Sequence, residues 1–220
     1  MFRKSVRVMA RIVIIILLFQ FVLGVLPGRG VEAVNSLDQD LFRAINSGWK
    51  SPAMDEIMRV STYMGDGFFV MGVLGGLYLY GQQTGNEKYI ETAQVGFNAL
   101  ARAGLLAQAG KYIFQRPRPG LVLDDVNFNG PVIADRRSFP SGHTTAAFSL
   151  ATVLAEEFPD YKKYFYTGAW MVGLSRIYNG VHFPTDVLAG ALLGHLIGKR
   201  SFGQRLQINQ DGFLVYMFSF

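Results

Sequence analysis

The chain has 220 residues, half of them hydrophobic and 14% aromatic, no cysteine, and a formal net charge of +5. Without cysteine there can be no disulfide, thiolate nucleophile or cysteine-ligated metal, and the hydrophobic content is ample for the core of one domain. The positive balance is local: Arg3, Lys4, Arg7, Arg11 and Arg29 fall in residues 1–30 with no acid, and the remainder holds 16 basic against 16 acidic side chains. That excess reads as a targeting segment and excludes a basic nucleic-acid face; no nucleic-acid motif is present.

In chain order, residues 3–11 are basic and 12–26 form an apolar run interrupted only by Gln20 and Gly24. Pro27-Gly28 ends it, and Val31-Glu32-Ala33 offers an imperfect small-residue cleavage site. Residues 1–33 therefore read as a signal peptide or a retained N-terminal membrane anchor. The run falls slightly short of the roughly 18 apolar residues of a confident span. In both cases the basic flank stays in the cytoplasm and the chain emerges from the run on the extracytoplasmic side.

The body, residues 34–200, reads as all-helical. A helix starts near Asn35 or Ser36, with Leu37, Leu41, Phe42 and Ile45 on one face, and Asn46-Ser47-Gly48 breaks it. A second starts at Pro52, with Met54, Ile57, Met58 and Val60 turned inward. Gly65-Asp66-Gly67 is a turn, and 68–80 is a strongly apolar helix stopped by Gly81. Helices over 87–112, 144–158 (stopped by Pro159), 164–178 and 185–200 complete the set. Beyond the N-terminal segment, the apolar runs are about 10–16 residues, more typical of buried core helices than of bilayer spans. An exported soluble or membrane-apposed body is therefore preferred to a six-span one, although Lys88, Lys162, Lys163, Lys199 and Arg200 also suit the cytoplasmic loops of six spans. Gly190, Gly194 and Gly198 at four-residue spacing let the last helix approach a neighbour closely. Residues 201–220 read as a short β extension, with Gln210-Asp211-Gly212 as the turn of a hairpin.

The chemistry is concentrated in three runs. Lys111 is followed after six residues by Arg118-Pro119. Pro140-Ser141-Gly142-His143 comes next. Ser175-Arg176 is then followed by His182 and, four residues on, Asp186. Gly and Pro place each run in a loop at a helix end. Cationic side chains, two histidines, an orienting acid and turn glycines suit the holding and attack of a phosphate-like oxyanion. Together the runs resemble the tripartite signature of the type-2 phosphatidic acid phosphatase and vanadium haloperoxidase superfamily, position by position and in order.

The resemblance implies an all-α bundle in which Lys111, Arg118, Arg176, Ser141 and the Gly142 amide bind phosphate oxygens. It implies that His182 is the nucleophile and forms a phosphohistidine, that Asp186 orients it, and that His143 protonates the leaving oxygen and later helps activate water. The family's phosphatases need no metal, so no cofactor is expected. These roles agree with the chemistry of the residue types. Cations aimed at the equatorial oxygens stabilise a phosphoryl group in transfer, and the arginine fork matches phosphate. A glycine at a helix start lets the anion approach free N–H groups. Imidazole titrates near neutrality, and a carboxylate can fix its tautomer.

The expected activity is hydrolysis of phosphate monoesters or anhydrides, with lipid phosphates at a membrane surface as the leading substrates. A soluble exported acid phosphatase is the alternative, and a haloperoxidase the remoter one. Phosphatidic acid, phosphatidylglycerol phosphate, undecaprenyl diphosphate and lipid A phosphates all stay open, as does the oligomeric state. Outside the motifs, His195 reads as a packing residue. Tyr112, Tyr178 and Phe183 read as packing beside the site. Arg116, Arg136 and Arg137 are either extra anion-binding charge or solvated.

Overall fold

The computed structural model describes residues 31–133 and 135–203. The 12–26 apolar run and the C-terminal β-hairpin expectation lie outside them. Every regular element among the described residues is helical: α1 (Val31–Asn46), α2 (Pro52–Met64), α3 (Gly67–Thr84), α4 (Glu87–Phe114), the single turn α5 (Pro119–Val122), α6 (Gly142–Glu157), α7 (Lys162–Tyr178) and α8 (Pro184–Gly203).

Local chemistry sets most of the boundaries. Ser51 and Asp66 cap α2 and α3 by accepting the amides of Met54 and Phe68, and Asn86 caps α4 through the amide of Lys88. The expected stop at Gly81 is not one. The helix runs on to Thr84, and Gly85, at φ 66°, ends it by returning its amide to Gly81 O. Gly81 instead permits close contact with α4, because a Cβ there would lie 2.7 Å from the Ile90 side chain.

The centre of the bundle is α6, packed between α4, α7 and α8. Ala99, Ala103 and Ala107 of α4 meet Val153 of α6 and Leu193 and Ile197 of α8, and Ala147, Phe148 and Ala151 meet Ala169 and Val172 of α7. Small residues allow short interaxial distances, and the α8 glycines take this furthest. A Cβ on Gly190, Gly194 or Gly198 would stand 2.4–2.7 Å from the carbonyl oxygens of Ser141, Thr145 and Ser149 on α6. The spacing seen in the sequence is therefore the α6–α8 seam, and the seam joins the first turns of the two helices that carry Ser141 and Asp186.

The outer faces depart from the amphipathic expectation. On α1, Phe42 is buried but Leu37 and Leu41 are exposed; on α2, Met58 is buried but Ile57 and Val60 are exposed. The inward face of α2 instead carries polar groups: Asp55 accepts from the Tyr178 hydroxyl and Thr62 from Arg176 and Asn179. Phe68, Leu79, Leu105 and Ile113 also point outward. No helix among the described residues is long and apolar enough to cross a membrane.

Gly194→Ala should destabilise the protein by about 1–3 kcal/mol or more, since its methyl meets backbone rather than a yielding side chain. Gly104→Ala, in open space on α4, should be neutral or stabilising by up to about 1 kcal/mol. Thermal or denaturant unfolding of the two variants checks the contrast. Equal stability would show that the seam is not tight.

Candidate active site

Because α4, α6, α7 and α8 alternate in direction, the end of α4, the start of α6, the end of α7 and the start of α8 meet at one end of the bundle. The connection from α4 to α6, including α5, runs over that end. Asn46, wholly buried at the end of α1, clamps this connection by donating to the carbonyls of Asn127 and Tyr178 and accepting the Asn127 amide. The turn from α7 to α8 needs Gly180. Its φ is 79°, and a Cβ there would lie 2.8 Å from Val126.

All eight residues singled out in the sequence lie at this end. Asp186, in the first turn of α8, is fully buried, and its Oδ2 lies 3.4 Å from His182 Nδ1. The other ring nitrogen, Nε2, is 3.2 Å from Arg118 Nη1. A guanidinium can only donate, so Nε2 holds a lone pair and Nδ1 carries the hydrogen facing Asp186. Arg118 also donates to Val181 O and, through Nε, to Asp135. Ser141 is buried at the start of α6, and its amide donates to Asp186 O, tying the second motif to the third. Its hydroxyl accepts from Thr144 and keeps its own hydrogen available. A Cβ on Gly142 would meet only Lys111 Cε, at 3.8 Å. Packing therefore does not demand this glycine; it leaves open the space above the first amides of α6, which lack intrahelical acceptors. His143 lies under the α2–α3 turn, where a Cβ on Gly65 would stand 3.0 Å from its carbonyl oxygen.

Lys111 and Arg176 are under-neutralised. Burial and the nearby Arg118 lower the Lys111 pKa to about 8, and burial and Arg118 lower that of Arg176 to about 10. Arg176 Nη1 donates to Thr62 Oγ1, but its buried Nε has no partner among the described residues. Desolvated like charges around a buried donor make an environment that favours an anion. The histidines share this field. Burial lowers the His182 pKa to about 3 against the pull of Asp186, and burial with Arg176 does the same to His143. A phosphate dianion among these cations would reverse the sign for His143 and let it take up a proton. Burial alone would raise the Asp186 pKa. Arg116, His182 and Ser138 outweigh it and hold the carboxyl well below the usual range.

Other residues sort differently from the expectation. Arg116 is neither solvated nor turned to the anion space: it is buried against Asp38 and Asp186. Arg136 is exposed, and Arg137 pairs with Asp135. Tyr178 and Phe183 are core residues, and Tyr112 is exposed. His195 Nδ1 lies 3.0 Å from Tyr166 Oη and 3.2 Å from Thr152 Oγ1, as expected of a packing histidine. Ser138, Asp38 and Thr62 escape sequence reasoning. Ser138 stands two residues before the second motif, but Asp38 and Thr62 have no local signal at all.

The family description "PAP2 superfamily" matches residues 95–209. The chain is 30% identical over 195 residues to phosphatidylglycerophosphatase B of Bacillus subtilis, covering 82% of this chain and 89% of that protein. It is 40% identical over 104 residues to a lipid A 1-phosphatase of Porphyromonas gingivalis, but that match spans 46% of this chain and only 21% of the relative. The crystal structure of Aquifex aeolicus LpxE superposes with a TM-score of 0.67 at 34% identity, over 76% of this chain and 95% of that one.

Arg176→Ala should weaken binding of inorganic phosphate by about 10- to 150-fold, the equivalent of about 1.5–3 kcal/mol for a hydrogen bond to a charged group. Arg136→Ala should leave it within about threefold. Calorimetric titration with phosphate compares them, and equal effects would remove Arg176 from the anion site.

Proposed function

Since the chain belongs to the PAP2 superfamily, we propose that it is a phosphatase that hydrolyses lipid phosphates at a membrane surface through a phosphohistidine. The observation that carries this reading is the cluster of desolvated cations, with an Arg176 Nε that has no partner among the described residues, set beside a histidine whose lone pair is on Nε2. Lys111, Arg118, Arg176, Ser141 and the first amides of α6 hold the non-bridging oxygens, where charge is carried during transfer.

His182 Nε2 displaces Arg118 as its partner and attacks phosphorus, forming the N–P bond. The P–O bond to the leaving group breaks, and His143, protonated once the dianion is bound, gives its proton to the departing oxygen. The imidazolium hydrogen on Nδ1 stays with His182 and is held by Asp186. In the second half, neutral His143 takes a proton from water as the water oxygen attacks phosphorus. The N–P bond breaks and phosphate leaves.

Lipid phosphates are preferred over water-soluble esters for two reasons. Relatives of high coverage include a phosphatidylglycerophosphatase. The exposed apolar side chains of α3 and of the segment around the site, among them Phe68, Ile113, Leu121 and Val122, suit contact with acyl chains.

Purified protein should release phosphate from lipid phosphates in mixed micelles faster than from p-nitrophenyl phosphate. His182→Ala should lower turnover by roughly four orders of magnitude or more, the scale seen when a nucleophile is removed. An acid-labile phosphoprotein, absent in the His182→Ala variant, should appear on rapid quench. Normal turnover in that variant would end the mechanism, and a preference for soluble esters would favour a soluble acid phosphatase instead.

A further inference from the structure

Arg116 lies in the first motif run but belongs to no part of the anion cradle. Its Nη1 donates to Thr185 Oγ1 at 2.7 Å and to Asp186 Oδ1 at 2.5 Å, and its Nη2 donates to Asp38 Oδ2 at 2.5 Å. The guanidinium covers the ring of Phe183 at 4.6 Å. Asp38, on α1, accepts the Thr185 amide through Oδ1 and the Thr185 hydroxyl through Oδ2. It is itself buried. The arginine is thus pinned on the side of Asp186 away from His182. Oδ1 of Asp186 is taken by Arg116. Oδ2 is left to face Ser138 Oγ at 2.5 Å, the Phe183 amide at 2.9 Å and His182 Nδ1 at 3.4 Å.

We propose that Arg116, anchored by Asp38 of α1, is a positioning residue that aims the Asp186 carboxylate at His182 and keeps it ionised. The proposal rests on the reading of His182 as the nucleophile. A carboxylate buried without a cation tends to take up a proton. A protonated Asp186 can offer O–H to His182 Nδ1, which places the ring hydrogen on Nε2 and leaves no lone pair for phosphorus. Such a hydrogen would also confront Arg118 Nη1, donor against donor. Arg116 prevents this by charge, and its Nη1 bond to Oδ1, with Nη2 anchored on Asp38, restrains the carboxylate's rotation. The titratable and charged groups around Asp186 are Asp38 of α1, Lys111 of α4, Arg116 and Arg118 of the following segment, and His182. Of these, only Arg116 both touches the carboxylate and carries a fixed positive charge.

The test compares Arg116→Met, Arg116→Lys and Asp38→Asn with the parent protein, using kcat, KM and the pH dependence of kcat on one lipid phosphate. Arg116→Met should lose at least tenfold in kcat with KM within about threefold. The acid limb of its profile should move to higher pH by at least one unit, because both the freed Asp186 and His182 then bind protons more readily. Arg116→Lys restores the charge but cannot bridge both acids, so its acid limb should return towards that of the parent while kcat stays reduced. Asp38→Asn loosens the anchor but removes no positive charge, so it should show a smaller loss in kcat with its acid limb at or below the parental pH. Inhibition by inorganic phosphate should stay within about threefold in every folded variant. Should Arg116→Met fail to fold, Arg116→Lys decides through kcat at unchanged KM. Parental kcat and pH profile in a folded Arg116 variant would overturn the proposal, and so would a rise in KM alone, which marks a substrate contact. Turnover surviving in His182→Ala would instead bring down the underlying reading.

Discussion

A carboxylate with no exposure to water constrains the rest of this molecule. Asp186 sits in the first turn of α8, against the α6–α8 seam. Leaving it ionised there without partners would cost several kcal/mol. The fold meets that cost from three directions: a guanidinium from the segment after α4, a hydroxyl from the segment before α6, and a backbone amide from its own helix start. The guanidinium in turn needs Asp38, which draws α1 into the site. Much of the chain from residue 38 to 186 is therefore organised around one side chain, and the glycine seam brings Ser141 to within hydrogen-bonding distance of its carbonyl.

The opposite electrostatic condition holds a few residues away. Arg116 is neutralised twice over, whereas Lys111 and Arg176 are lowered in pKa by burial and by like charge, and Arg176 keeps a buried donor with no partner among the described residues. Two kinds of cation thus share one end of the bundle. One is neutralised by two buried acids, and the others stand among like charges. The two histidines, both lowered to about pKa 3, start neutral in this field.

That the eight motif residues lie at helix ends was legible in the sequence, because Gly and Pro announce those ends. The seam was legible too, since glycines at four-residue spacing can do little else. Arg116 was not. Its neighbours in sequence are cations of the cradle, and only the fold reveals that Asp38, 78 residues away, turns it inward. The amphipathic reading of α2 failed for a related reason. Apolar periodicity ordinarily marks the buried face, but on this helix Thr62 bonds Arg176 and Asp55 bonds Tyr178 while Ile57 and Val60 face outward. A helix that serves a polar interior inverts the usual pattern, and hydrophobicity alone cannot say which face is inside. Gly81 misled similarly, because close packing against Ile90 and a helix stop call for the same residue.

The central claim is that Asp186 and Arg118 together hold His182 neutral with its hydrogen on Nδ1. The chain has three histidines, so nitrogen NMR on protein labelled in its imidazoles is tractable, with His182 assigned by its loss in a His182→Gln variant. At pH 6, well above its pKa of about 3, His182 should give one protonated Nδ1 and one unprotonated Nε2 resonance. A protonated Nε2 at that pH, in either the neutral or the imidazolium form, would contradict the account.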